Sequence, residues 1–452
     1  MLESQTTVEA LAAFACDTRL EDVDAGAVQA AELLLVDAVA CALAGHQGGQ
    51  IREATGLARA IGGQGTTTVI GSDERLSLGG ATLLNSYLVT GVNACDIYEP
   101  AFTHVTPLVV PPAVAIAERE GRSGAELVEA VLLGAEVVTR IGRALDFAAF
   151  EERGWQAPGV IGPFGGAVAA GRLLGLDHGL MANAIALAGS QAAGTASDWG
   201  TPANKFHQFR GALSGLTAAL LAAEGMPAGR GVLDAGRGGL YQTYAPGRPE
   251  AVVDALASHW EIGRIGLRRW PTASGIQGVV TAVMEALAEG VAPTEITDVQ
   301  VDVSPQVFGR HGTVARPDTK FQRLQSIHYI TAVALVDGRL WLEQFDDERA
   351  AGADVAALLD VVTVAEDPGI GGAGAKVRVR AGDREVTAAC AAPKGHPTNP
   401  LNRTDIEEKL RTAGRARLPE AALSAALVQL ASPGELDDVA ALLAHLRPSG
   451  EM

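Results

Sequence analysis

Aromatic side chains are scarce, making up 4% of a 452-residue chain that is 48% hydrophobic. The core must therefore be built from Ala, Val and Leu with many of the 54 Gly, which suits closely packed helices. Cysteine is nearly missing too. Cys16, Cys41, Cys95 and Cys390 are widely scattered, with no CxxC spacing. That excludes a disulfide framework or zinc cluster and fits buried thiols in a reducing compartment. Basic residues number 35 in a net charge of −18, with no basic run, so no nucleic acid partner is expected. A local cluster of Arg and Lys can still hold an anion. The opening MLESQTTVEALAAF carries acids before its first base, Arg19, so no signal peptide is visible. No uninterrupted apolar run reaches membrane-spanning length. The expectation is a cytoplasmic protein with no membrane partner. Metal-site and nucleophile signatures are missing as well: there is no HExxH, no zinc-spaced His/Cys set, no GxSxG and no Walker sequence.

Against that background the stretch 93–112, NACDIYEPAFTHVTPLVVPP, stands out. It gathers Asp96, Tyr98, Glu99 and His104 and is crowded with prolines. Because proline fixes φ and biases the residue before it, 96–112 reads as ordered irregular backbone. A polar loop in an apolar, helix-rich chain is a usual seat for reactive groups. With Asp96 and Glu99 just upstream, a carboxylate neighbour is expected to raise the pKa of His104.

Along the chain, 8–46 gives two helical patterns, the second (AAELLLVDAVACALAGH) apolar on most faces and so central. Asp37 within it reads as a partnered structural acid. Ser123 and Glu126 form a capping-box pattern at GRSGAEL. GPFGGAVAAGRLLG at 162–175 has small residues at helical spacing, and lacks the strand and acid a dinucleotide site needs. A second polar interruption at 189–215 places Lys205, His207 and Arg210 just before a helix expected at 212–224. A helix N-terminus with three bases makes a seat for a carboxylate.

Near residue 263 the texture changes. Strands are predicted at 296–305, 357–367 and 375–392, the last a hairpin about Gly382-Asp383, with helices near 275–289 and 321–336 between them. A further basic cluster, Arg268 and Arg269, opens this region. The expected fold class is mainly α: a large helical domain, 1–265 plus 397–452, and a smaller α+β lid domain, 266–396.

The remaining inventory is His104, Tyr98 and Tyr329 for proton transfer, and Lys205, His207, Arg210, Arg268 and Arg269 for anion binding. It suits removal of a proton next to a carboxylate, with cations stabilising the enolate-like charge. Elimination, decarboxylation and epimerisation share that intermediate.

These segments, in this order, resemble the MmgE/PrpD family, which includes 2-methylcitrate dehydratase, cis-aconitate decarboxylase and iminodisuccinate epimerase. The resemblance rests on LLVDAVACALAG (34–45), His104 with its trailing prolines, SGAELVEAVLLGAEVVTRIG (123–142) and GVIGPFGGAVAAGRLLGLD (159–177). AIALAGSQAAG (184–194), GLTAALLAAEG (215–225) and KGHPTNPL (394–401) extend it. It implies a helical domain with an inserted lid, a homodimer, no metal or organic cofactor, and a cleft between the domains. His104 matches the family's active-site histidine and Tyr329 its lid tyrosine. In the acid-rich run Asp96 is kept, Ala94 replaces an acid and Tyr98 stands where Thr is usual. Gln156 takes the place of a histidine, His207 aligns, Lys205 is displaced by one position, and Arg268 replaces a lid lysine.

The expected activity is a cofactor-independent lyase acting on a small di- or tricarboxylate, with elimination of the 2-methylcitrate dehydratase type first. His104 would be the general acid/base, with Tyr329 its partner and Asp96 beside it. Lys205, His207, Arg210, Gln156, Arg268 and Arg269 would bind substrate. The alternatives are an epimerase, in which Tyr98 faces His104 across the substrate, a decarboxylase, or a non-catalytic binding homologue.

Overall fold

The computed structural model describes residues 5–234 and 236–449. The chain is mainly helical and divides into two compact units: 1–91, 95–265 and 403–452 form the first, and 92–94 with 266–402 the second.

The first unit begins with α1 (Thr7–Asp17), α2 (Ala25–Gly45), α3 (Ile51–Gly62), a short antiparallel pair β1 (Gln64–Thr68) and β2 (Arg75–Leu76), and α4 (Leu78–Thr90). Then come α5 (Thr106–Glu120), α6 (Gly124–Arg143), α7 (Phe147–Glu152), α8 (Ala157–Val160), α9 (Gly162–Leu173), α10 (His178–Gly189) and α11 (Phe206–Ala223), with the short α12 (Leu240–Thr243) and α13 (Pro249–Val253). Its core is Ala, Val and Leu, with α9 packed against α5, α6, α10 and α11. Ser123 caps α6 in a capping box with Glu126, as the sequence predicts.

Helix α2 is buried over most of its length. By length and mean hydropathy its 21 residues could cross a membrane, but Glu32 and Asp37 interrupt the apolar run and most of the helix is buried in the core. Asp37 lies in its middle, fully buried, and its carboxylate accepts from Lys409 Nζ at 2.6 Å.

The second unit holds α14 (Gln277–Ala288), β3 (Ile296–Val303), the helical turns α15 (Pro305–Val307) and α16 (Lys320–Arg323), and α17 (Ile327–Asp337). Next are α18 (Asp347–Ala350), α19 (Ala353–Leu359), β4 (Val362–Glu366), β5 (Ala375–Ala381) and β6 (Arg384–Cys390). The sheet order is β4-β3-β5-β6, with β3 and β4 parallel and the other pairs antiparallel. β5 and β6 form the expected hairpin, Ala381 opposite Arg384. The predicted strand 357–367 is shorter than expected, because its first residues finish α19. The chain then returns to the first unit through α20 (Arg403–Arg415), α21 (Glu420–Leu430) and α22 (Val439–His445), and α20 packs on α2.

The largest correction is α5. The stretch 96–112 was expected to be irregular throughout, yet the helix starts at Thr106 and carries Pro111 and Pro112 inside it. An internal proline removes the bond to the carbonyl four residues back. The carbonyl orphaned by Pro111 is that of Pro107, and the Ser86 hydroxyl donates to it at 2.6 Å. The one orphaned by Pro112 is that of Leu108. It faces Gly166 of α9, where an added Cβ would lie 2.9 Å from it. Glycine there lets the two backbones meet.

Candidate active site

The helix N-termini of α5 and α11 lie side by side. Leu108, one turn into α5, fills the space where a Cβ on Gly162 or Gly211 would stand. One turn further on, α5 and α11 both meet α9 around Gly166, so the two helices run in the same direction. Just ahead of them, Phe102 packs on Trp199 with ring centroids 5.7 Å apart. The two polar interruptions of the sequence thus converge within the first unit.

Asp96 organises the α5 end. It is fully buried, and its Oδ2 accepts from the Val105 amide at 2.6 Å while Oδ1 accepts from the Thr106 amide at 2.9 Å and from the Thr106 hydroxyl. Val105, at the N-cap position, makes no side-chain cap, so Asp96 supplies from a distance what a capping residue would. Burial pushes its pKa up, against the pull of these donors. The three donors favour the anion, against the burial that favours the acid.

Asp96 reaches His104 through its main-chain carbonyl, 2.6 Å from Nδ1. For Asp96 the expected carboxylate–imidazole contact is therefore replaced by a backbone one, because its carboxylate is turned to the helix amides. Nδ1 must carry the proton to donate to a carbonyl, which makes Nε2 the basic nitrogen. Asp96 thus holds the His104 ring through its main chain, with its carboxylate turned to the helix amides.

Tyr98, the other residue expected to transfer a proton, is bound to a carboxylate. Its hydroxyl is buried and donates to Glu261 at 2.7 Å. Burial and that carboxylate raise its pKa far above the ordinary phenol range. Glu261, which burial alone would raise, is held low by Tyr98, Arg143 and Arg264.

The basic cluster differs from its expected form. α11 begins at Phe206, ahead of the predicted 212, so His207 and Arg210 are helical and Lys205 is the N-cap residue. Lys205 Nζ donates to the Thr90 carbonyl at 2.7 Å, tying α11 to the end of α4. Arg210 Nη2 donates to the carbonyls of Gln191 and Ala193 at 3.1 and 3.0 Å. Gln156 donates to Asn204, a contact between two neutral amides that the sequence reading missed.

His207 is 5% exposed, and among the described residues its ring nitrogens have no well-formed hydrogen bond, with only a loose backbone contact at Thr195. Burial lowers its pKa, partly offset by Asp198, so the ring is neutral near pH 7. Gly194, at φ +140°, makes room for it: a Cβ there would lie 2.7 Å from Nδ1. A buried imidazole so loosely held is costly unless a ligand supplies a partner.

The other expected residues belong to the second unit. Tyr329 is buried on α17 and donates its hydroxyl to the Gln344 carbonyl at 2.5 Å, with its pKa pushed up to about 12 by burial. Arg268 is buried and donates to the Thr272 carbonyl at 3.2 Å, while Arg269 lies over the Trp270 ring. Sequence reasoning passed over His328, buried beside Tyr329 with an unpartnered Nδ1 and a pKa lowered by burial. Its neighbour in sequence drew the attention. Among the described residues no three His, Cys, Asp or Glu side chains gather as a metal set.

Helical core, capped α5 and small mixed sheet together define the class, and comparison with known proteins identifies it. The MmgE/PrpD N-terminal domain matches residues 9–252 and the C-terminal domain residues 270–431. The chain belongs to the MmgE/PrpD family, whose members are enzymes. It is 28% identical to the cis-aconitate decarboxylase-like protein oryM of Aspergillus oryzae, over all of this chain and 98% of that one. Cis-aconitate decarboxylase of Aspergillus terreus is 27% identical, over 74% of this chain and 72% of its own. The human cis-aconitate decarboxylase is 28% identical, over 76% and 75%.

Proposed function

We propose that the protein is a cofactor-independent lyase that moves a proton at a carbon next to a carboxylate, with His104 as the general acid/base. The observation that carries this is the Nδ1–carbonyl contact to Asp96, which fixes the tautomer and aims Nε2 as base. A neutral His207 donates a hydrogen bond to the enolate-like oxygen as charge develops there. The division between the helix ends supports this. Asp96 satisfies the first amides of α5, while the Lys205 side chain makes no cap at the start of α11, and the seat of the carboxylate is proposed at that end, beside Lys205.

Elimination of water from a hydroxy acid is the first reading. Decarboxylation is the second, and the names of the relatives favour it, since loss of carbon dioxide yields the same enolate-like intermediate for His104 to protonate. The proposal includes a homodimer.

Incubation with citrate-, aconitate- and succinate-type acids in deuterated water tests it. Mass spectrometry should show deuterium next to a carboxylate, and His104→Asn should slow exchange and turnover by roughly 10²–10⁴-fold without loss of fold. No exchange with any acid, or a variant within a few-fold of the parent, sinks the proposal.

A further inference from the structure

The second unit holds a cavity of its own, of about 490 Å³, and every residue lining it belongs to that unit, so it is not the site built around His104. It lies at the open end of the β5–β6 hairpin, where Ala375 pairs with Cys390. Its walls are the glycine-rich loop 369–374 that leads into β5, the adjoining strand ends, and parts of the segment after β6. The loop is fixed from several sides. The amides of Gly369 and Ile370 donate to Asp367 at 2.8 and 3.0 Å, and the Gly374 amide closes a turn on the Gly371 carbonyl at 3.0 Å. The Ser304 hydroxyl donates to the Gly372 carbonyl at 2.9 Å. Gly278 of α14 meets the loop closely, since an added Cβ would lie 2.0 Å from the Ala373 carbonyl oxygen. Gly372 itself takes the left-handed conformation, φ 52°, that glycine adopts at little cost.

These contacts use up the loop's carbonyls and leave its donors. Among the described residues the amides of Gly371, Gly372 and Ala373 meet no acceptor. Three successive main-chain N–H groups in a fixed turn make a concavity suited to an oxyanion. Lys376 lines the same cavity from the exposed face of β5, and among the described residues it has no ion-pair partner. Asp302, opposite it in the strand register, takes the Gln300 amide at 2.7 Å. Three amides and an ammonium match the three terminal oxygens of a phosphate monoester better than the two of a carboxylate. Inorganic phosphate alone would fill little of the space, and Ile370, Ala389 and Pro393 give the rest of the wall an apolar character. We propose that this cavity binds a phosphate monoester of a small organic molecule, its phosphate on Gly371, Gly372, Ala373 and Lys376 and its organic part against Ile370 and Pro393. The site goes beyond the lyase reading and does not depend on it.

Titration calorimetry on the full chain tests this with phenyl phosphate, benzoate as the carboxylate counterpart and benzyl alcohol as the uncharged one. Phenyl phosphate should bind, and the other two at least about 10-fold more weakly. Lys376→Gln should weaken phenyl phosphate by about 10-fold or more, as expected for loss of a charged donor. Ala389→Phe, at an exposed position opposite Lys376 in the hairpin, should fill the cavity and remove binding while urea stability is kept. No binding of phenyl phosphate, benzoate bound as tightly, or phenyl phosphate affinity unchanged in both variants overturns the inference; the last would put the anion at another site. Deuterium exchange into the carboxylic acids should be the same in both variants as in the parent. Failure of the phosphate site and failure of the lyase reading therefore give different results.

Discussion

Replacing Asp96 by Asn is the sharpest test of how the base is held. The change keeps size and shape, so what it alters is hydrogen bonding. Both carboxylate oxygens accept, Oδ2 from Val105 N and Oδ1 from Thr106 N and Oγ. An asparagine has one accepting oxygen. Whichever way the amide is turned, its NH2 group faces a buried backbone N–H. That amide loses its partner, at about 1–3 kcal/mol for the orphaned donor. The surviving bonds also lose the charge that strengthens them, for a further 1–2 kcal/mol or so. A total of roughly 2–5 kcal/mol is large beside the usual 5–15 kcal/mol of net stability, and leaves a folded protein to measure.

The functional consequence follows from the same geometry. Asp96 carries His104 on its main-chain carbonyl, so relaxation of the loop to relieve the clash moves that anchor. A fall in kcat of about 10–100-fold, with KM changed much less, is expected of a displaced base on an intact anion seat. Thr106→Val, which removes only the hydroxyl, should cost ~1 kcal/mol and leave kcat within a few-fold. Urea unfolding and steady-state kinetics on the three proteins read both effects. If Asp96→Asn unfolds within 0.5 kcal/mol of the parent, a threshold well below the donor penalty, and turns over normally, the capping argument is wrong.

Three further outcomes are expected. His46, whose Nε2 lies 2.7 Å from the Ile70 carbonyl, has its pKa lowered to about 4 by burial and by Arg417. The unfolded chain binds that proton more readily, so stability is present above about pH 6.5 and drains away towards pH 4, by ~2–3 kcal/mol. His46→Gln should flatten that part of the urea-stability profile; an unchanged slope would count against it. Ser86→Ala should cost about 1–3 kcal/mol by orphaning the Pro107 carbonyl, and Pro111→Ala in the same chain should recover part of it by restoring an N–H donor. A double variant no more stable than Ser86→Ala would show that the carbonyl does not matter. Lys409→Met should destabilise by roughly 3–5 kcal/mol, because the buried Asp37 loses its neutralising cation, and Asp37→Leu added to it should return most of the loss. Additive losses would refute that pairing.

What could be read in the sequence was local. The capping box at Ser123 and Glu126, the apolar faces of α2 and the hairpin about Gly382 each lie within a few residues of their cause. What escaped has its cause far along the chain. α5 runs through two prolines because Ser86, 21 residues away from Pro107, takes one freed carbonyl and Gly166 lies against the other. α11 starts early because a turn at Pro202–Lys205 runs straight into it, with no side-chain cap at Lys205 to mark the boundary. Tyr98 looked like a proton-transfer group because its partner Glu261 is 163 positions away. His104 and Asp96 were recognisable as a pair, but the order of their roles was not. A carboxylate eight residues before a histidine suggests an ion pair, and only the backbone path shows that it caps a helix instead.

The prolines and glycines that made this region hard to read are also what build the site. Without Pro111 and Pro112 the carbonyls of Pro107 and Leu108 would be satisfied inside α5, and Ser86 and Gly166 would have no reason to approach. Close approach to α9 brings α5 alongside α11 in the same direction, so both positive helix ends arrive together. Two adjacent positive ends would bind two anions, or one anion indifferently. Asp96 resolves this by occupying the α5 end permanently, and in doing so presents the carbonyl that sets the His104 tautomer. On the proposed reading the α11 end is left for the substrate's carboxylate, with a neutral His207 in the first turn of that helix. On that reading one buried carboxylate separates the base from the anion seat. Its replacement should therefore damage proton transfer more than binding, the split in kcat and KM expected of Asp96→Asn.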